Sequence, residues 1–85
     1  MHRVRISAQA IKELNKLNQS DFHKIDDKIL SLELNPKPMG CIKLQGANAY
    51  RVRVGDYRIL YEVDEQNKVV DVFKVKHRKD VYRKK

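Results

Sequence analysis

The stretch YRVRVGDYRILY, residues 50–61, leaves this chain few ways to fold. Apolar and polar residues alternate on both sides of Gly55 and Asp56, and a two-residue Gly-X loop favours a type II′ turn between antiparallel strands. Counting outward from the turn pairs Val54 with Tyr57, Arg53 with Arg58, Val52 with Ile59, Arg51 with Leu60 and Tyr50 with Tyr61. Paired residues share a face. Tyr50, Val52, Val54, Tyr57, Ile59 and Tyr61 therefore point to a core, and Arg51, Arg53 and Arg58 collect on the other side. Opposed Cβ atoms lie only ~4.5–5.5 Å apart, so Arg53 facing Arg58 is destabilising unless an anion lies between them. Acidic neighbours are scarce on that face, Glu62 being the nearest candidate. Two readings stand: a solvated face with stacked, salt-screened guanidinium planes, or a phosphate site, for which the planar donor fork of arginine is well suited.

The apolar face of that hairpin needs a cover, and the first half of the chain supplies one. His2 to Ile6 alternates as a short strand with Val4 and Ile6 on its inner side. Ser7 reads as an N-cap, after which Ala10, Ile11, Leu14 and Leu17 follow helical spacing while Gln9, Lys12, Glu13 and Lys16 face water. Beyond Asn18 and Gln19, Ser20 is expected to cap a second helix, with Asp21 in its first turn and a stripe of Phe22, Ile25, Ile29 and Leu32. Pro36 ends that helix before Asn35. So short a connection makes the helices an antiparallel hairpin. Pro36 to Gly40 is a loop, Cys41 to Leu44 extends, and Gly46 to Asn48 turns into the strand Tyr50 to Val54. Tyr57 to Val63 returns, Asp64 to Asn67 turns, and Val69 to Val75 is rich enough in β-branched residues for a central or doubly covered strand. The expected fold is α+β, ordered β-α-α-β-β-β: a helical hairpin on one face of a mostly antiparallel sheet, ending in a short basic tail or turn.

With 85 residues, positions 1–85 are expected to form one domain with a single modest core. The formal charge of +8 points to a polyanionic or acidic partner, and its distribution is uneven. Residues 1–73 hold 12 Lys and Arg against 10 Asp and Glu, whereas residues 74–85 hold 7 against 1. The lone Cys41 makes no intrachain disulfide, and with only the scattered His2, His23 and His77 it assembles no metal site, so no cofactor is expected. No apolar run has membrane-spanning length and the first residues lack the apolar core of a signal peptide, which makes the expected setting cytoplasmic and reducing.

The tail KVKHRKDVYRKK adds Arg78 to the basic set, and within it His77 and Tyr82 are the groups suited to proton transfer or base stacking. Cations interleaved with a ring are the equipment of proteins that read unpaired RNA, which makes Lys74, Lys76, His77 and Lys79 additional RNA-contacting candidates. A solvated terminus, with the Tyr82 ring packed on the sheet, is the alternative. Leu30 and Leu34 lie beside the main stripe of the second helix, and they either close the core or await a partner.

Taken together, the helical hairpin, the Pro-containing loop, Lys43-Leu44-Gln45-Gly46, the run from Tyr50 through Arg58 and the ending His77-Arg78-Lys79-Asp80-Val81-Tyr82 resemble the RelE/ParE superfamily of toxins, in particular its RelE-type mRNA interferases. The resemblance covers nearly the whole chain. It implies a compact α+β fold, a cognate antitoxin with which a hetero-oligomer forms, and endoribonuclease action on mRNA in the ribosomal decoding site. Carried over by position, Arg51 and Arg53 fall where members often have two lysines, one of them proposed as general base. Arg58 takes the place of a phosphate-stabilising arginine, Arg78 of one assisting the leaving group, and Tyr82 of a ring stacking on the mRNA base. Arginine is a poor proton acceptor at neutral pH, so the base passes to Tyr82, His77 or the ribosome. Two alternatives remain at this level: a ParE-like inhibitor of gyrase, and a member that binds RNA or ribosome without cutting.

Overall fold

A computed structural model describes residues 1–45 and 48–81, the last two by their backbone. The elements are β1 (Arg3–Ile6), α1 (Ala8–Asn15), α2 (Gln19–Ser31), β2 (Ile42–Lys43), β3 (Ala49–Val54), β4 (Tyr57–Asp64), β5 (Val69–His77) and α3 (Arg78–Val81). The strands form one sheet in the order β1-β5-β4-β3-β2, antiparallel except where β1 runs parallel to β5. The expected α+β arrangement is present, with Ile42 and Lys43 as a fifth, edge strand paired to β3. Tyr82, the rest of the basic tail, and Gly46 and Ala47 of the expected turn lie outside the described residues.

Local chemistry sets the helix ends. The Ser7 side chain accepts the N–H of Ala10 and starts α1. Asn18, not Ser20, caps α2: its side-chain oxygen accepts the N–H of Asp21 at 2.8 Å, and Ser20 is already one residue inside the helix. Both residue types make good caps, and the position that leaves the tighter connection after α1 is the one used. α1 lies over β5 and α2 over β3 and β4. Ala10, Leu14, Ile25, Ile29 and Leu32 meet Tyr50, Val52, Ile59, Tyr61, Val63, Val70, Val72 and Val75 in one core, with Leu17 and Phe22 packed at its margin. Ile11 departs from the expected stripe and is exposed, as are Leu30 and Leu34; the two leucines do not close the core.

The hairpin register is the one obtained by counting from the turn, Val54 to Tyr57 through Tyr50 to Tyr61. Gly55 has φ +57° and Asp56 does not share a positive φ, the type II′ pattern. The last strand differs from simple alternation. It is central, between β1 and β4, and its register against β4 shifts between Leu60 and Tyr61, where Phe73 is the extra residue. Val70, Val72 and Val75 all reach the core only because of this bulge. Uninterrupted alternation after Val72 would have turned Lys74 inward.

Tyr61 anchors the end of the core away from the hairpin tip. It is fully buried, stacks on Tyr50 with centroids 5.9 Å apart, and donates its hydroxyl to the Pro36 carbonyl at 2.7 Å. Burial pushes its phenol well above the usual range, with Cys41 and Tyr50 adding to the effect. A raised folded-state value means that the neutral phenol stabilises the fold fully below the unfolded value of about 10, and that this contribution is lost as pH climbs above it. Urea midpoints measured from about pH 8 to about pH 11 are therefore expected to fall at the alkaline end, and Tyr61→Phe should flatten that fall.

Candidate nucleic-acid interface

The face of the sheet turned away from the helices sorts charge along the strands. In the rung nearest the hairpin tip, Arg53 on β3 pairs with Arg58 on β4, and Arg58 pairs in turn with Lys76 on β5. In the next rung Arg51, Leu60 and Lys74 are aligned, with Ile42 beyond Arg51. One rung further the sign changes: Ala49, Glu62 and Asp71 align, and Arg5 of β1 holds Asp71 with two hydrogen bonds of 2.8 and 3.1 Å. Five cations thus share two rungs, across strands about 4.8 Å apart.

Counter-charge is missing where it would most stabilise this cluster. Among the described residues, the ion pairs join His2 and Lys37 to Glu65, Arg5 to Asp71 and Arg78 to Asp56, and none engages Arg51, Arg53, Arg58, Lys74 or Lys76. Three of the carboxylates at the opposite end, Asp64, Glu65 and Asp71, have their own partners. Asp64 accepts from the backbone and side chain of Asn67, which lowers its pKa, and Lys37 lowers that of Glu65. Arg51 and Arg58 are half-buried and Arg53 is exposed, so the guanidinium groups are presented on a surface built from packed strands. Such a surface attracts a polyanion, and forked donors on rigid strands can hold phosphate oxygens in fixed positions.

The remaining candidates are placed differently. Arg78 begins α3 at the rim beside the hairpin tip, where its N–H donates to the Asp56 carbonyl at 2.6 Å and its Nη1 lies 3.7 Å from Asp56 Oδ1. Lys79 follows it, exposed. His77 pairs with Tyr57, on the helix-covered side of the sheet, with the rings edge to face at 5.0 Å. Its Nδ1 accepts the N–H of Lys79 at 3.1 Å, which leaves the proton of the neutral ring on Nε2. The structure thus brings together Arg51, Arg53, Arg58, Lys74 and Lys76, sets Arg78 at their edge and separates His77 from them. The Asp56 contact was not anticipated from sequence, because 22 residues and a whole strand pair separate the partners along the chain.

Comparison with known proteins agrees with this architecture. The family model for the ParE toxin of type II toxin-antitoxin systems, parDE, matches residues 4–82. The chain is 30% identical over 84 residues to the RelE1 toxin of Methanocaldococcus jannaschii, covering 94% of this chain and 93% of that one. It is also 30% identical over 74 residues to the toxin RelG of Mycobacterium tuberculosis, covering 75% and 85%. The toxin–antitoxin RelE–RelB crystal structure from Pyrococcus horikoshii superposes with a TM-score of 0.83 at 35% identity, over 91% of this chain and 94% of that one. By sequence and by fold, the protein belongs to the ParE toxin family and is a RelE-like toxin of a type II toxin-antitoxin system.

Proposed function

We propose that this toxin is an endoribonuclease that cuts mRNA on the ribosome. The observation that carries the reading is the set of five cations on two adjacent rungs, among which Arg58 is flanked by Arg53 and Lys76. In the reaction the 2′-oxygen of the substrate attacks the adjacent phosphorus, the bond from phosphorus to the 5′-oxygen breaks, and the products are a 2′,3′-cyclic phosphate and a 5′-hydroxyl. Charge builds on the phosphoryl oxygens in the transition state, and donors already aimed at that position stabilise it most. Arg58 is assigned to those oxygens, Arg51 and Arg53 to orienting the strand, Arg78 to the leaving 5′-oxygen, and Tyr82 to the exposed base.

Guanidinium groups manage charge well and protons badly. With His77 on the other side of the sheet, the 2′-proton is assigned to Tyr82 or to a group of the ribosome, and the leaving 5′-oxygen takes its proton from water. The expected consequence is weak activity on free RNA and strong activity during translation, with the protein at work in the cytoplasm. Among the described residues no helix is long and apolar enough to cross a membrane.

The partner in this reading is an antitoxin protein, as in the RelE–RelB complex of Pyrococcus horikoshii. Exposed Leu30 near the end of α2 and Leu34 in the turn that follows it offer it apolar surface, and the basic face suits an acidic segment.

The test adds purified protein to translating ribosomes and maps new mRNA 5′ ends, beside free RNA and a gyrase supercoiling assay. New ends within codons of translated mRNA, reduced in Arg78→Ala and Tyr82→Ala, are the expected result. Intact mRNA together with blocked supercoiling would replace this reading with gyrase inhibition.

A further inference from the structure

β5 loses its neighbour on one side just where it begins to carry the site. β1 ends at Ile6, opposite Val72, so the stretch from Phe73 onward has a strand partner only in β4. It is also the stretch that the bulge releases from simple alternation. Backbone groups facing the missing strand would have to find water or a substitute.

The substitute comes from α1. The Phe73 carbonyl accepts a long hydrogen bond of 3.4 Å from the Ser7 hydroxyl. The Val75 N–H donates to Glu13 Oε1 at 2.7 Å, in a half-buried setting. The other carboxylate oxygen, Oε2, accepts from Gln9 Nε2 at 3.1 Å, one helical turn earlier, which fixes the orientation of the group. An ionised acceptor makes the stronger kind of hydrogen bond. Helical spacing alone had assigned Glu13 to solvent, yet it is the polar link between α1 and the segment lying between Lys74 and Lys76.

We infer that Glu13 is a positioning residue for the basic face: by taking the N–H of Val75 it replaces the absent strand and holds Lys74 and Lys76 on the side where Arg58 stands. The role rests on the functional reading above. Glu13 touches no reacting atom in it and acts only through the backbone of β5. Loosening that hydrogen bond lets the bulge migrate, and a shift of one residue turns both lysines toward the helices.

The test measures ribosome-dependent cleavage and the affinity of a short single-stranded RNA for wild type, Glu13→Ala, Glu13→Gln, Glu13→Met and a Lys74→Ala/Lys76→Ala double variant. Glutamine keeps an acceptor oxygen, whereas methionine keeps the bulk and helix propensity without one. Cleavage by Glu13→Ala and Glu13→Met is expected to fall about tenfold and to recover largely in Glu13→Gln. The salt dependence of RNA binding should flatten in step, by roughly 1.4 in the log–log slope if both lysine–phosphate contacts go. Adding Glu13→Ala to the double-lysine variant should cost nothing more, because the effect passes through those lysines.

A further tenfold loss in that background would overturn the inference, as would wild-type cleavage by Glu13→Ala. Loss of the fold in both Glu13→Ala and Glu13→Met would make the residue structural and overturn it too. Failure of wild type to cut mRNA would instead sink the functional reading, and this role with it.

Discussion

Arg58→Ala is expected to lower ribosome-dependent mRNA cleavage by about 10²- to 10³-fold, the usual loss when one pre-positioned donor to a developing anion is removed. No other residue of the cluster is so placed, since Arg58 lies on the middle strand with Arg53 on one side and Lys76 on the other. The variant should remain folded. The side chain leaves the sheet on the face opposite the core, and its cross-strand neighbours repel it, so thermal stability should hold or rise by a few tenths of a kcal/mol. Arg58→Lys separates charge from geometry: it keeps the charge and loses the fork, and should fall between wild type and alanine. Initial cleavage rates at mapped sites, with melting curves on the same samples, decide the matter. Full-rate cutting by Arg58→Ala would remove the phosphate role assigned to this face.

The largest effect on stability is expected at Tyr61. Its ring is completely buried between the helices and the sheet, against Tyr50, and its hydroxyl ties the loop after α2 to the core through the Pro36 carbonyl. Removing a buried aromatic side chain costs about 3–5 kcal/mol, a large share of the 5–15 kcal/mol typical of a whole domain. Tyr61→Ala should therefore be mostly or wholly unfolded at ordinary temperature. Tyr61→Phe keeps the packing and leaves the carbonyl to find water, at a cost of about 1–2 kcal/mol. Urea unfolding of both, at neutral pH, separates ring from hydroxyl. Equal losses in the two variants would mean that the ring contributes little beyond its hydrogen bond, contrary to the packing seen around it.

The hairpin was legible from sequence because its information is local. Gly55 and Asp56 set the turn, and a period of two carries the register outward to Tyr50 and Tyr61 without reference to any other part of the chain. The Ser7 cap and the α2 stripe were legible for the same reason. The α2 cap was not, since Asn18 and Ser20 are near-equal local signals and the connection from α1 chose between them. Ile11 fits the α1 stripe by spacing yet stands in solvent, because the area of sheet available to α1 is narrower than its apolar face.

The cation cluster divides along the same line. Arg51, Arg53 and Arg58 were brought together by counting from a turn. The addition of Lys74 and Lys76 depends on the bulge at Phe73, which lies just beyond the last residue of β5 paired with β1. The spacing of Val70, Val72 and Val75 holds a trace of it, a step of three where two was due, but that step gains meaning only once all three are seen in the core. His77 illustrates the converse: adjacency in the chain to Arg78 suggested a shared site, and strand alternation sent its ring to the other face.

What the sequence determined by itself, then, is the order of the main helices and strands, without the short β2 and α3, together with the pairing within the central hairpin and the surplus of positive charge. Each follows from interactions among residues a few positions apart. The tertiary structure alone decided that Lys74 and Lys76 join the three arginines, where carboxylates such as Asp71 are engaged elsewhere, and that Glu13 takes the Val75 N–H of β5. These depend on contacts between residues as many as 66 positions apart, such as Arg5 with Asp71, whose pairing is fixed by the order of strands in the sheet.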